Sequence, residues 1–168
     1  SASTQNVTMG KEVASKIRQA DGRTKIIMIG GHPSALPERT LRESEVDFIC
    51  QGEGPSTLQG LLALSDLHDA SSYSKVPGLW YWSDGQVVST PEAPVIPQEA
   101  LAQELPGMAW DLLPMEAYRA HNWHSFSHIS ERKPYASIYT SLGCPFRCTF
   151  CCINAPFGRS TIRCWDPK

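Results

Sequence analysis

The class of fold is indicated first by the segment Lys25-Ile26-Ile27-Met28-Ile29-Gly30-Gly31-His32-Pro33. Its short continuous apolar run stops at two glycines, and such a run is typical of a strand that is buried on both faces of a parallel sheet. The segment Val46-Asp47-Phe48-Ile49-Cys50 repeats the pattern and ends at a second glycine-rich turn, Gln51-Gly52-Glu53-Gly54. The two segments therefore predict two strands, each followed by a tight loop.

Helical patterns alternate with these strands. Residues 7–21 carry apolar side chains at three- and four-residue spacing, which predicts an amphipathic helix. These side chains are Met9, Val13, Ile17 and Ala20. Pro37 and Pro55 can each open a further helix, because proline suits the first helical position. Helices alternating with strands in this way predict an α/β, Rossmann-like fold with a doubly wound parallel sheet.

The composition changes after Leu67. Two apolar segments, Leu79–Trp82 and Val87–Ser89, flank Asp84-Gly85 and predict a β-hairpin. Five prolines between residues 90 and 116 predict a linker without long regular elements, apart from a helical turn near residues 98–103.

The last part of the chain predicts one more strand, over Tyr135–Ser141, which runs directly into Cys144. We therefore divide the chain into three regions. Residues 1–70 form part of the Rossmann-like domain, residues 71–133 form the hairpin and linker, and residues 134–168 begin a second domain.

Composition and charge exclude several classes of protein. Of the 168 residues, 41% are hydrophobic and 19% are charged, which is typical of a folded chain rather than a disordered one. A net charge of -2 argues against a nucleic-acid-binding protein and against binding to an anionic membrane surface. The sequence shows neither a long apolar span nor a signal peptide, so we expect a cytoplasmic protein.

The six cysteines are placed unevenly, and five of them lie in the last 25 residues. Cys144, Cys148 and Cys151 share one short segment, with three residues and then two residues between them. Three thiolates on one loop can bind three irons of a cubane cluster and leave the fourth iron open. Zinc bound through Cys151, Cys152 and Cys164 is the competing interpretation; we otherwise expect Cys152 to be a bystander.

The segment Gly143–Cys151, with the aromatic Phe150 before its last cysteine, resembles the signature of the radical S-adenosylmethionine superfamily. The resemblance implies a 4Fe–4S cluster on Cys144, Cys148 and Cys151, with S-adenosylmethionine bound at the open iron near Phe150. It also implies that the strand before the motif is the first strand of a β/α, TIM-like barrel, whose chemistry lies at the C-terminal ends of strands.

The N-terminal half resembles the cobalamin-binding domains of cobalamin-dependent radical S-adenosylmethionine enzymes. In such domains a Ser/Thr-rich strand end is followed by a Gly-Gly turn. Here 26 residues separate Ser3 from Gly30, which is similar to the interval in those domains. The resemblance implies cobalamin contacts from Ser3, Thr4, Gly30, Gly31, His32, Gly52, Glu53 and Gly54. Glycines after parallel strands support the implication, because ligands bind outside the carboxyl ends of such strands.

Histidines are weaker candidates than these loops. We expect His32 to contact the edge of the cofactor rather than to ligate cobalt. His121, His124 and His128 have irregular spacing, which is more typical of surface or core histidines than of metal ligands.

The combined resemblance implies an enzyme, and we expect a methyltransferase that acts on an unactivated carbon or phosphorus of a small-molecule substrate. Its radical would abstract a hydrogen, methylcobalamin would supply the methyl group, and flavodoxin or ferredoxin would supply the electron. A ring-forming radical enzyme with the same cofactors and a non-enzymatic zinc- or cluster-binding module are the alternatives. Because a complete barrel takes about 200 residues, we expect this chain to be an inactive piece of a longer enzyme.

Overall fold

The computed structural model describes residues 6–105, 107–119 and 134–166. Two of the predicted cobalamin contacts, Ser3 and Thr4, lie outside these residues. So do the three histidines at positions 121, 124 and 128. Their predicted roles stay predictions.

Helices and strands alternate through the first half of the chain, and the predicted helices and strands of that half are confirmed within a few residues. The elements are α1 (Val7–Ala20), β1 (Ile27–Met28), α2 (Gly31–Ala35), α3 (Pro37–Arg42), β2 (Phe48–Cys50), α4 (Pro55–Leu62), β3 (Leu79–Ser83), β4 (Gln86–Ser89), α5 (Leu101–Glu104), β5 (Ser141–Cys144) and β6 (Thr161–Cys164). The α/β class of fold is confirmed. The helical turn predicted near residue 100 is also present, as a 3-10 turn over Gln98–Ala100 that continues into α5.

The first four strands form one mixed sheet in the order β1-β2-β3-β4. Strands β1 and β2 are parallel, with Ile27 opposite Phe48. Strand β3 runs antiparallel to β2, with Leu79 opposite Cys50. The predicted hairpin thus extends the sheet rather than standing apart from it, and a doubly wound parallel arrangement is not confirmed.

The hairpin turn confirms the sequence prediction. Asp84 has a φ of 50° and Gly85 a φ of 75°, the two successive positive values that a two-residue turn with the twist of the strands requires. Gly85 adopts this conformation without steric cost, and Asp84 belongs to the few residue types that tolerate it.

Apolar side chains cover both faces of the sheet, because consecutive residues of β2 point to opposite sides. Ile49 belongs to a cluster with residues of α1 and α3, whereas Phe48 belongs to a cluster with residues of α4 and of the 3-10 turn at Ala70–Lys75. Tyr73 packs edge-on against the Phe48 ring, with the ring centroids 4.9 Å apart. A sheet between two helical layers follows from this alternation.

The apolar face of α1 differs from the predicted one. Val7 and Ala14 are its buried residues, whereas Met9 is 67% exposed and Val13 is 50% exposed. β1 is the edge strand among the described residues, and Met9 and Val13 of α1 line an open groove of about 540 Å³ together with residues of β1.

The predicted strand over residues 135–141 is wrong in position, because the structure places β5 at Ser141–Cys144. A strand needs a hydrogen-bonding partner, and β5 finds one in β6, with which it forms a two-stranded sheet. Ile138 and Tyr139, upstream of β5, are 71% and 66% exposed. Cys144 therefore ends a strand and does not follow one.

The chain divides into two compact units. The first comprises the residues up to Val95 together with Gly143–Ile162, and the second comprises Ile96–Leu142 together with the residues from Arg163 onward. In the second unit, Arg163 is buried and donates a hydrogen bond to the carbonyl oxygen of Ile96. The domain boundaries near residues 70 and 133 stay predictions.

Within the described part of the chain, none of the helices has both the length and the apolar character needed to cross a bilayer.

Candidate functional site

Two glycine-bearing loops lie at one edge of the sheet. Gly30 follows β1, and Gly52 and Gly54 follow β2; because these two strands are parallel, their carboxyl ends meet at the same edge. The three glycines have φ values of 136°, 130° and 108°. Residues that carry a Cβ atom rarely adopt such values. The loops are therefore built from backbone conformations that only glycine adopts readily.

A serine that the sequence analysis missed connects the two loops. Ser34, in α2, is buried, and its Oγ accepts a hydrogen bond of 3.3 Å from the backbone N–H of Gly52. No sequence pattern pointed to this role, since the contact joins residues 18 positions apart. His32 and Glu53 are half-buried beside the same loops.

The neighbours of each glycine show where another molecule could approach. A Cβ atom on Gly54 would lie 3.3 Å from Cγ2 of Ile29, and one on Gly31 would lie 3.3 Å from Sγ of Cys152. A Cβ atom on Gly52 would meet nothing closer than Cβ of Ala93, at 3.9 Å. Gly31 and Gly54 thus make room for the chain's own atoms, whereas a Cβ atom on Gly52 would make only ordinary van der Waals contacts, with Ala93 and with the carbonyl oxygen of Pro156.

The three cysteines of the motif lie on an accessible loop. Cys144 is half-buried at the end of β5, whereas Cys148 and Cys151 are exposed and are joined by a 3.1 Å hydrogen bond from the Cys151 N–H to the Cys148 carbonyl. Phe150, beside them, is 91% exposed. The donor set fits an iron–sulfur cluster chemically, because three accessible thiols on one loop are the ligands that iron–sulfur clusters use.

The thiols are not yet gathered around a common point. Among residues 6–105, 107–119 and 134–166, no three His, Cys, Asp or Glu side chains are close enough together to hold a metal ion. This applies equally to the zinc alternative with Cys151, Cys152 and Cys164. Cluster binding would therefore require the exposed loop to close around the metal.

Asn154 is a second residue that the sequence analysis missed. Its Oδ1 accepts a 3.1 Å hydrogen bond from the N–H of Cys144, and its Nδ2 donates a 2.8 Å hydrogen bond to the carbonyl of Phe146. One side chain thus holds both sides of Pro145. The available signal was weak: asparagine near a turn commonly bonds to backbone groups.

The segment after the last motif cysteine packs against the loop that follows β1. Cys152 accepts, at its carbonyl, a 3.0 Å hydrogen bond from the N–H of Ala155. That bond leads into a 3-10 turn, Ala155–Phe157, which contacts α2. The cysteine loop and the glycine loops therefore belong to the same compact unit.

Cys50, by contrast, is part of the core. It is fully buried in β2, and burial raises the pKa of its thiol, an effect that a hydrogen bond with Thr57 partly offsets. A thiol with a raised pKa forms little thiolate, so Cys50 is poorly suited to bind metal.

Known proteins resemble this chain over most of its length. An uncharacterized methyltransferase of Pyrococcus horikoshii is 33% identical over 135 residues, which is 80% of this chain and 26% of that protein. The cytidylyl-2-hydroxyethylphosphonate methyltransferase of Streptomyces wedmorensis is 29% identical over 151 residues, 80% of this chain and 28% of that protein. The anaerobic magnesium-protoporphyrin IX monomethyl ester cyclase of a Synechocystis species is 28% identical over 127 residues, 76% of this chain and 22% of that protein.

The chain thus spans about a quarter of the length of these curated relatives. No protein-family model matches it.

Proposed function

This chain is a relative of the cobalamin-dependent radical S-adenosylmethionine enzymes over about four fifths of its length, and we propose that it is the part of a methyltransferase that binds the cluster and contributes to cobalamin binding. When bound, the cluster supplies the electron that cleaves S-adenosylmethionine, and cobalamin supplies the methyl group. The observation that carries the proposal is the presence of the cysteine loop and both glycine loops in one compact unit.

The chain's own contribution to cluster binding comes from three thiols. Cys144, Cys148 and Cys151 would each ligate one iron, and the accessible position of the loop leaves the fourth iron free for S-adenosylmethionine. Phe150 is exposed next to Cys151, where its ring would contact the bound cofactor. Six free cysteines suit a cytoplasmic protein, because that compartment keeps thiols reduced.

The contribution to cobalamin binding comes from the loops at the C-terminal ends of β1 and β2. Gly30 and Gly52 follow the neighbouring parallel strands β1 and β2 and would present backbone to the cofactor there. His32 and Glu53 are half-buried polar groups on the same loops and would contact the edge of the cofactor. A protein that positions both cofactors in this way controls which substrate atom reacts.

Ring formation is the second candidate reaction. It is favoured by a specific observation, the 28% identity to a relative named as a monomethyl ester cyclase. Two methyltransferases, one of them 33% identical, favour methyl transfer to a small-molecule substrate. In either reaction, a flavodoxin or ferredoxin would be the electron donor.

Anaerobic reconstitution with iron and sulfide tests the proposal. We expect about four irons per chain, matching sulfide and a brown protein. A colourless protein with one zinc and no sulfide would instead support a zinc-binding module and contradict the proposal. In the whole enzyme of which we propose this chain to be a part, methylcobalamin with a carbon-13 methyl group separates the two reactions, since only methyl transfer places the label in the product.

A further inference from the structure

We infer that Asn154 is a positioning residue that fixes the start of the cysteine loop, from Cys144 to Phe146, so that only the rest of the loop has to close around the cluster. The inference rests on the proposed function, because it takes Cys144, Cys148 and Cys151 as the ligands. It goes beyond that proposal by assigning a role to a residue outside the cysteine motif, one that supplies no ligand to the metal.

The geometry of the Asn154 amide carries the inference. Its oxygen accepts from the Cys144 N–H and its nitrogen donates to the Phe146 carbonyl, at 3.1 Å and 2.8 Å. These two backbone groups lie on either side of Pro145. A single planar amide therefore bridges the start of the loop, and it uses both its donor and its acceptor to do so.

Asn154 can fix the loop because other contacts fix the position of Asn154. Its carbonyl accepts a 3.0 Å hydrogen bond from the N–H of Phe157, so it forms the N-cap of the 3-10 turn at Ala155–Phe157. That turn contacts α2. The nitrogen of the Asn154 side chain also lies 3.4 Å from Oγ of Ser160. The 3-10 turn thus fixes Asn154 from outside the cysteine loop, whereas the Ser160 contact is too long to contribute much.

Such a contact reduces the conformational entropy that the cysteine loop loses when it binds the cluster. Residues 145–151 are exposed and contain no helix or strand. Gathering three thiols from such a segment costs conformational entropy, and a residue that fixes part of it beforehand lowers that cost. Groups that orient metal ligands without touching the metal typically change metal affinity or activity by about 10- to 100-fold when they are removed.

The first measurement uses the iron-free chain. Asn154→Ala removes the acceptor for the Cys144 N–H, so hydrogen exchange at the Cys144 amide should accelerate by about ten-fold. Asn154→Asp keeps an acceptor oxygen there and should preserve slow exchange. Asn6→Ala is the matched control, because Asn6 lies at the N-terminus of α1 and its side chain makes no capping hydrogen bond. Equal exchange rates in wild type and Asn154→Ala would overturn the inference.

The second measurement uses the reconstituted cluster. A chelator should remove iron from Asn154→Ala about 10- to 100-fold faster than from wild type, and the paramagnetic resonance spectrum of the reduced cluster should change. Asn154→Asp should lie between the two, since it restores one of the two hydrogen bonds but loses the donor to Phe146. Ser160→Ala should behave like wild type, because the contact it removes is long. Unchanged iron release and an unchanged spectrum in Asn154→Ala would contradict a positioning role.

The two measurements separate failure of the inference from failure of the proposed function. A wild-type chain that takes up no iron contradicts the proposed function, yet the exchange rate of the Cys144 amide still reports on the Asn154 contact. A wild-type chain that takes up about four irons, with a variant that retains them equally well, contradicts the role of Asn154 alone.

Discussion

The Sγ atom of Cys152 lies 3.3 Å from the position that a Cβ atom would take on Gly31, and the carbonyl oxygen of Cys152 lies 3.6 Å from it. The residue directly after the cysteine motif is thus packed against the first residue of α2, in the loop that follows β1. Gly31 was predicted to let cobalamin approach, but in the structure its missing side chain makes room for Cys152. The contact between Gly31 and Cys152 can be tested through the free energy of unfolding alone.

A double-mutant cycle tests this contact. Gly31→Ala should press against Sγ of Cys152, because 3.3 Å is tighter than most Cβ contacts. In a Cys152→Ala background the sulfur is absent. The same substitution should therefore lower the free energy of unfolding by about 1 kcal/mol less than it does in wild type. Urea unfolding of the four metal-free, reduced proteins measures the difference. If the effects of the two substitutions on the free energy of unfolding add within about 0.3 kcal/mol, the two residues do not interact.

Cluster ligation is tested by alanine substitution of the cysteines. Changing Cys144, Cys148 and Cys151 together should abolish iron uptake and the visible absorbance, since no iron would then retain a thiolate from the motif. Cys152→Ala and Cys164→Ala are the matched controls and should retain about four irons each. Loss of iron from Cys152→Ala alone would contradict the ligand assignment.

Cobalamin binding is tested at Gly52, the loop glycine where an added Cβ atom would meet no neighbour closer than 3.9 Å. Gly52→Ala places a methyl group on the path of the ligand and should weaken cobalamin binding by about ten-fold or more. Urea unfolding of the same variant measures backbone strain separately, because a φ of 130° is strained for any residue that carries a Cβ atom. Equilibrium dialysis with hydroxocobalamin gives the affinities of wild type and variant, and equal affinities would contradict the contact.

Thiol reactivity distinguishes the accessible cysteines from the buried one. Cys148 and Cys151 are exposed, whereas Cys50 is fully buried and burial raises the pKa of its thiol. Iodoacetamide should therefore modify Cys148 and Cys151 in the native iron-free chain long before Cys50, because the thiolate is the reacting form. Mass spectrometry follows each site, and modification of Cys50 at a comparable rate would contradict its placement in the core.

Acid stability depends in part on Glu43. Hydrogen bonds from Lys11 and then Arg39 lower the pKa of Glu43 to about 2. Because this native pKa lies below that of the unfolded chain, the unfolded state binds more protons between about pH 4.5 and 2, and the free energy of unfolding falls as the pH drops through that range. Lys11→Met should raise the pKa of Glu43 in an NMR titration; an unchanged pKa would contradict the contact.

The helices, strands and turns of the first half of the chain could be predicted from the sequence. Apolar runs that end at glycines predicted β1 and β2, and Asp84-Gly85 predicted the hairpin turn. These features depend on neighbouring residues only, since alternation of side chains and the permitted φ values act within a few positions. The cysteine motif is equally local, and its resemblance to the radical S-adenosylmethionine signature needed no structure.

Three features depended on partners that are distant along the chain. The hairpin joins β2, which makes the sheet mixed, because Leu79 pairs with Cys50. The last strand lies at Ser141–Cys144 and not at the predicted residues, because among the described residues that segment pairs with β6. On α1, the buried residues are Val7 and Ala14, whereas three of the predicted residues line an open groove beside β1, namely Met9, Val13 and Ile17.

The sequence by itself determined the α/β class, the two glycine loops and the spacing of the three thiols, since each is a property of consecutive residues. Only the tertiary structure decided that Cys152 packs on Gly31, that Ser34 joins the two loops and that Asn154 holds the start of the cysteine loop. The physical reason is that a hydrogen bond or a van der Waals contact forms only when folding brings both partners together. In the sequence, Ser34 and Gly52 are 18 positions apart, and Gly31 and Cys152 lie in opposite halves of the chain.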